Sequence, residues 1–215
     1  MTISPILRRA LAVTLALTLA ACGGKATFPS NGTITTTTDA NAVVTSTLQY
    51  KGLVLTTNGM DLSVPAGAKA FSFPNTISYG DVYNVTVKTP PDHQNCTTID
   101  QSTALETASG TAGRLASINI ALTCYLNAFT IGGNITGLTS EGLVLTNGTA
   151  GGTAIIVSTA TTYTFTNQVA YGSSYGVTVL TQPANDICTV SNPAGIMGDA
   201  LVSNINVSCV PKPAT

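Results

Sequence analysis

From about residue 50 onward the chain alternates apolar and polar positions with a period of two, the side-chain period of a β-strand. Turn formers such as Asn147-Gly148 and Gly151-Gly152 separate the alternating runs. Only over Ala104 to Ala108 is neither the strand period nor a helical period clear. The apolar sets spaced two apart are Leu53-Leu55, Leu62-Val64, Phe71-Phe73, Tyr83-Val85-Val87, Ile118-Ile120-Leu122, Phe129-Ile131, Leu143-Leu145, Ile155-Val157, Tyr163-Phe165, Tyr175-Val177-Val179 and Ile205-Val207. The pattern predicts an all-β protein of short strands.

The strand pattern occurs twice along the chain. Gly52 to Thr56 recurs as Gly142 to Thr146, and the motif that runs from Tyr79 to Val87 recurs from Tyr171 to Val179. Six to eight short strands in each stretch of about 90 residues, with regularly spaced turns, are typical of an antiparallel β-sandwich. We therefore predict two tandem antiparallel β-sandwich domains, a first repeat over 33–125 and a second repeat over 126–211, before a tail over 212–215.

The N-terminus has a different character. Arg8 and Arg9 precede an apolar run from Ala10 to Leu19, which is the order of an export signal. The run has about 10 residues, roughly half of the ~20 that a transmembrane helix needs, so we expect it to be removed rather than to span a membrane. It ends in Leu19-Ala20-Ala21-Cys22, followed by two glycines, which resembles the lipobox of bacterial lipoproteins.

That resemblance implies a membrane anchor at Cys22. In lipoproteins a diacylglyceryl group joins the cysteine thiol, cleavage falls here between Ala21 and Cys22, and the new amino group is usually acylated, for instance with palmitate. Residues 1–21 would then be a signal peptide and 22–32 a lipidated flexible tether. Gly23, where an aspartate would retain the protein at the inner membrane, points to the outer membrane of a Gram-negative cell. The alternative is an ordinary secretory signal followed by an incidental cysteine.

The sequence of each repeat also resembles a known kind of module. Gly-Leu-Val-Leu, an Asn-Gly turn, an aromatic strand and Gly-x-x-Tyr-x-Val-Thr-Val together resemble repeats of proteobacterial surface lipoproteins. They are also similar to Ig-like and prealbumin-like sandwiches. The resemblance covers both repeats and implies structural or binding modules, several of which have no assigned activity.

The five cysteines are an odd number. With Cys22 set aside as the lipid carrier, two remain in each repeat at equivalent places, so we predict the disulfides Cys96–Cys124 and Cys188–Cys209. Disulfides imply an oxidising compartment. A four-cysteine zinc site is the alternative, although the paired C-x-x-C spacing of such sites is missing.

Charge and candidate chemistry narrow the function classes. Charged residues make up 8% of the chain, and without Arg8 and Arg9 the acidic side chains outnumber the basic ones, which argues against a nucleic-acid partner. His93 is the only histidine and lies in a loop whose counterpart in the second repeat has none, so we interpret it as a solvated loop residue. No nucleophile elbow accompanies it, and the acidic residues are scattered without a calcium-loop motif. We therefore predict no catalytic residue, no cofactor and no metal ligand, and leave open a calcium site assembled in three dimensions.

Two tyrosines recur in both repeats, and they allow a second hypothesis. Tyr79 and Tyr83, with Tyr171 and Tyr175, could form stacking platforms for a glycan, but Tyr83 and Tyr175 share strand parity with valines and are expected in the core. Our main hypothesis is a non-enzymatic cell-envelope protein, held at the membrane by lipid on Cys22, that acts as a structural or protein-interaction module. The alternative is a ligand- or glycan-binding surface lipoprotein, and the third candidate is an extracytoplasmic enzyme.

Overall fold

The computed structural model describes residues 25–37, 44–100, 105–106, 108–114, 117–148 and 151–213. Within these ranges every regular element is a β-strand. Within the same ranges there is no helix with the length and hydropathy that crossing a membrane requires. The predicted signal peptide, its cleavage after Ala21 and the lipidation of Cys22 all lie outside the described residues.

The strands are short, as the spacing of the turns predicts. Up to the end of the first repeat they are β1 (Thr27–Phe28), β2 (Ser30–Thr37), β3 (Val44–Thr45), β4 (Val54–Thr57), β5 (Met60–Ser63), β6 (Ala70–Ser72), β7 (Ile77–Ser78), β8 (Val82–Asn84), β9 (Thr86–Thr89), β10 (Gln94–Thr97), β11 (Ile99–Asp100), β12 (Leu105–Glu106), β13 (Ser109–Thr111) and β14 (Ile118–Leu126). In the second repeat they are β15 (Ala128–Phe129), β16 (Gly132–Thr136), β17 (Leu143–Asn147), β18 (Thr153–Ile156), β19 (Thr162–Thr164), β20 (Val169–Ala170), β21 (Ser174–Thr181), β22 (Asp186–Val190), β23 (Ala194–Ile196) and β24 (Val207–Pro211).

Both repeats pack two sheets face to face. In the second repeat the sheet orders are β19-β16-β24-β22 and β18-β17-β21-β23. In the first repeat a sheet ordered β10-β14-β2-β3, in which β6 also pairs with β2, faces the sheet β5-β4-β9. Each repeat encloses its own hydrophobic core, which includes Leu55 and Ile120 in the first repeat and Leu145 and Phe165 in the second. The all-β tandem sandwich is therefore confirmed.

One strand pair in each repeat is parallel, which the prediction of a purely antiparallel sandwich missed. β2 runs parallel to β14 over eight residue pairs, from Ser30 beside Ile118 to Thr37 beside Tyr125. β16 likewise runs parallel to β24. The first long strand of each repeat lies beside the last one, and both run in the same direction, so the repeat closes on a parallel pair.

Part of the segment 22–32, which was predicted to be a flexible tether, is β-strand in the structure. Thr27–Phe28 and Ser30–Gly32 already belong to β1 and β2, and Ser30 is fully buried. The sequence conceals this strand because several of its inward positions carry small or polar residues. Gly32 is one of them, and a side chain there would collide with the ring of Phe71, which fills that space. The segment over Ala104 to Ala108, where the period was unclear, contains the short strand β12.

The two predicted disulfides, Cys96–Cys124 and Cys188–Cys209, are present. Each joins directly opposed residues of neighbouring antiparallel strands, β10 with β14 and β22 with β24. The bridges therefore fasten the same strand pair in both repeats.

Candidate site at the junction of the two repeats

A single residue connects the two sandwiches. β14 ends at Leu126 and β15 begins at Ala128, so Asn127 alone lies between them. Its N–H donates to the carbonyl of His93 in the first repeat at 2.8 Å, and its carbonyl accepts from the N–H of Tyr171 in the second repeat at 2.8 Å. The connecting residue is therefore hydrogen-bonded to both repeats.

Aromatic rings from both sides pack around this connection. The His93 ring stacks on the Tyr171 ring with 3.8 Å between centroids and 5° between planes. Tyr50 meets both rings edge-on, at 5.0 Å from His93 and 5.6 Å from Tyr171. Such stacked and edge-to-face pairs stabilise a contact beyond the area they bury. We call Tyr50, His93, Asn127, Tyr171 and Asp199 the junction cluster.

A polar contact completes the junction cluster. Nδ1 of His93 lies 2.7 Å from the carboxylate of Asp199, which belongs to the second repeat. The backbone of His93 has φ +58°, in the left-handed region that histidine enters more readily than most residues. This conformation occurs in the loop between Pro91 and Gln94, where the ring contacts the second repeat.

The interpretation of His93 as a solvated loop residue is therefore wrong. Its side chain is only 28% exposed and contacts Tyr50, Tyr171 and Asp199. The corresponding loop of the second repeat carries no histidine. In the sequence, the only indication of a special role was a lone histidine beside a turn. That its side chain contacts the second repeat depends on how the two repeats are oriented.

The repeated Tyr-Gly turn has the same backbone role in both repeats but not the same side-chain role. The N–H of Tyr79 donates to the carbonyl of Ala26, just before β1, as that of Tyr171 donates to Asn127, just before β15. Tyr79 is 58% exposed, whereas His93 covers one face of Tyr171. Both repeats thus retain the backbone hydrogen bond of this turn, but only the ring of Tyr171 packs against a neighbouring sandwich.

The remaining tyrosines of the glycan hypothesis are part of the packing. Tyr83 is buried in the first core, and Tyr175 packs, partly buried, against the second. Of the four recurring tyrosines, Tyr79 has the most exposed ring, and the four do not form one platform. Within the described part of the chain, no group of three or more His, Cys, Asp or Glu side chains could hold a metal ion.

Asp186, at the start of β22, is a fully buried carboxylate, although in the sequence it is one of several scattered acidic residues. It accepts hydrogen bonds from the N–H groups of Thr139 and Ser140, at 3.0 and 2.9 Å, and from their hydroxyls, at 2.8 and 2.7 Å. The Ser140 hydroxyl, followed by the Thr139 N–H, lowers the pKa of Asp186 to about 2. This carboxylate therefore fastens the loop before β17 to β22.

The first repeat has an uncharged version of the same contact. Gln94 begins β10 as Asp186 begins β22, and its side-chain carbonyl accepts from the N–H of Tyr50 at 3.1 Å. Gln94 is also buried. The side chain at this position thus holds the loop that carries Tyr50, a member of the junction cluster.

Replacing Asp186 by asparagine is expected to lower the melting temperature of the second repeat at neutral pH, because an amide offers donors where four donors already converge. In the wild type this contribution is fully present above the unfolded pKa of about 3.9 and is lost as pH falls towards the folded pKa of about 2. Thermal unfolding followed by circular dichroism across that range checks both effects. Asp92→Asn, at an exposed carboxylate, is the control, and an unchanged melting temperature for Asp186→Asn at neutral pH would contradict the assignment.

No protein-family model and no curated protein matches the chain. Solved structures with some similarity include the shaft pilin SpaA of Lactobacillus rhamnosus GG, with 11% identity, a TM-score of 0.31, and coverage of 88% of this chain and 100% of the pilin. A C-terminal fragment of the pilus adhesin SpaC from the same organism has 11% identity and a TM-score of 0.34, and the match covers 86% and 98% of the two chains. A streptococcal ancillary pilin has 12% identity, a TM-score of 0.25 and coverage of 86% and 63%.

Proposed function

We propose that this chain is a non-enzymatic protein of the bacterial envelope whose two sandwiches form a rigid spacer, tethered to a membrane by lipid on Cys22. The observation that carries the proposal is the junction. A one-residue connection that is hydrogen-bonded on both sides and packed between stacked rings leaves little freedom for one repeat to move against the other. A protein whose activity required two mobile domains would instead use a longer, polar linker.

The position of β1 supports an anchor close to the first repeat. Four residues lie between Cys22 and Thr27, where β1 begins, so the five Cα-to-Cα steps that connect them span at most about 18 Å when fully extended. Two disulfides agree with a location outside the cytoplasm. On this proposal the first repeat lies at the membrane surface and the second projects away from it, at the outer membrane of a Gram-negative cell.

The most distinctive polar groups of the chain have structural roles that fit a spacer. The His93 imidazole is stacked and hydrogen-bonded across the junction, and the Asp186 carboxylate already accepts hydrogen bonds from four protein donors. Groups held in this way stabilise loops and domain contacts. They support a structural role over the ligand-binding and enzymatic alternatives.

The experiment that tests the anchor expresses the full-length chain in a Gram-negative host with labelled palmitate. Wild-type protein is expected in the membrane fraction after a high-salt wash and to carry the label. Cys22→Ala is expected in the soluble fraction without it, because a single thiol carries the diacylglyceryl group. Gly23→Ala, which keeps Cys22, is the matched control and is expected to stay in the membrane. Unlabelled wild-type protein in the soluble fraction would contradict the proposal.

A further inference from the structure

The second repeat has an uncovered edge strand. β18 is an end strand of its sheet, and on its outward side Ile155 is 81% exposed and Val157, just beyond its end, is 56% exposed, while Ile156 points into the core. Thr153 to Val157 contains no charged residue and no proline. An exposed apolar edge without charges is a template on which another strand can pair.

The backbone of β18 offers hydrogen-bonding groups on its open side. The N–H of Asn147 donates to the carbonyl of Gly152, so the backbone groups of Gly152 point towards β17. In an antiparallel pair this direction alternates along the strand. The groups of Ala154 therefore also point towards β17, and those of Thr153 and Ile155 point away from it, to the free edge.

There is space for a strand along this edge. A groove of about 410 Å³ runs between β18 and β19, the end strand of the facing sheet, and both strands line it. No strand among the described residues pairs with this side of β18.

The first repeat contains the same edge, and the register of the strands aligns the two. In both repeats the central strand shifts register against its inner neighbour at an equivalent place, after Val54 in β4 and after Val144 in β17. Each shift leaves one extra residue in the inner neighbour. The register gives four pairs of corresponding positions, each with the first-repeat residue named first: Asp61 and Thr153, Ser63 and Ile155, Pro65 and Val157, and Lys88 and Leu180.

The different residues at these four positions protect the edge strand of the first repeat and leave that of the second repeat open. In the first repeat Asp61 and Lys88 form an ion pair across the outer face, and Pro65 follows the strand. Charges and proline are the features that prevent edge strands from pairing. In the second repeat none of the corresponding side chains is charged, and Leu180 is 60% exposed. One chain thus protects one copy of an edge and leaves the other open.

We propose that β18 is a self-association site, which pairs antiparallel with β18 of a second copy of this chain about a two-fold axis at Ile155. The segment is self-complementary: Ile155 lies opposite Ile155, and Thr153 lies opposite Val157. The N–H and carbonyl of Ile155 then face those of the second copy, and the groups of Thr153 face those of Val157, whose carbonyl also accepts from the N–H of Ala160. A two-fold arrangement uses one surface twice and closes at a dimer.

The carboxylate of Glu141 favours antiparallel over parallel pairing of the two copies. Glu141 accepts hydrogen bonds from the N–H and hydroxyl of Ser158, so its carboxylate lies at one end of β18. Antiparallel pairing places the two Glu141 carboxylates at opposite ends of the joined strands. Parallel pairing would place them side by side, where like charges repel.

Cross-linking through Ile155→Cys in the full-length chain tests the proposal. Directly opposed residues of a hydrogen-bonded antiparallel pair have Cα atoms about 5.5 Å apart, within the range of a disulfide. After mild oxidation we expect a dimer band on a non-reducing gel for Ile155→Cys. Ser63→Cys, the same change at the corresponding position of the protected edge, is the matched control and is expected to stay monomeric.

A second variant distinguishes cross-links formed by paired β18 strands from cross-links formed by random collisions between molecules. Adding Val157→Pro to Ile155→Cys gives the open edge the proline of the first repeat and is expected to reduce the dimer band about tenfold, with an unchanged melting temperature. The proposal would be overturned by the absence of a dimer for Ile155→Cys, by an equal dimer for Ser63→Cys, or by an undiminished band with Val157→Pro. A cross-link from position 155 to a different protein would also overturn it.

Discussion

Replacing Cys188 and Cys209 together by alanine is expected to lower the free energy of unfolding of the second repeat by about 3 kcal/mol. The bridge closes a loop between residues 21 apart, and in the chain-entropy model its removal gives the unfolded chain back that freedom. The loop also carries Met197 and Ile205, which are fully buried in the second core. A sandwich of about 90 residues has little stability to spare, so this loss is a large share of the total.

Urea unfolding of the full-length protein, followed by circular dichroism, measures this effect. The matched comparison is Cys96 and Cys124 replaced in the same way, which opens a separation of 28 residues in the first repeat and is expected to cost a similar amount. Each pair is expected to shift the transition of its own repeat. A double variant that unfolds at the wild-type urea concentration would refute the stabilising role of the bridge.

Replacing His93 and Tyr171 together by alanine is expected to loosen the junction while both sandwiches stay folded. The change removes a stacked aromatic pair, worth about 0.5–1.5 kcal/mol, and a partly exposed contact with Asp199, worth at most about 1 kcal/mol. A loss near 1.4 kcal/mol would raise the population of alternative orientations about tenfold. Small-angle X-ray scattering would detect this as a broader range of interdomain distances.

The control for the junction is Tyr79→Ala, which removes the equivalent ring where the structure places no second sandwich against it. Its scattering curve is expected to match that of the wild type. If the His93 and Tyr171 variant also matched the wild type, the two backbone hydrogen bonds of Asn127 would be sufficient to fix the repeats, and the rings would have no role in orientation.

Much of the architecture can be predicted from the sequence because it depends on the spacing of residues that are close together along the chain. Apolar pairs two residues apart identify the strands, and the second occurrence of the same motif identifies the tandem sandwich. The cysteine pairs follow from that repetition, since Cys96 and Cys124 recur as Cys188 and Cys209. Such features need only a short window or an internal comparison.

The functional features that the sequence analysis missed depend on long-range geometry. His93 and Asp199 are distant in sequence and meet because the two repeats are stacked in one orientation. Asp186 resembles any isolated acid until the loop of Thr139 and Ser140 folds over it. Ile155 has the alternation of a strand residue, but only the sheet order reveals that it lies at an open edge.

The parallel pairing of β2 with β14 determines how the first repeat would respond to tension. A pull on an anchored N-terminus, opposed by a load on the second repeat, would draw β2 and β14 past each other along their length. All eight residue pairs from Ser30–Ile118 to Thr37–Tyr125 lie across that motion, so their hydrogen bonds would have to break together rather than one after another. The strand order thus suits a chain that is held at one end and loaded at the other.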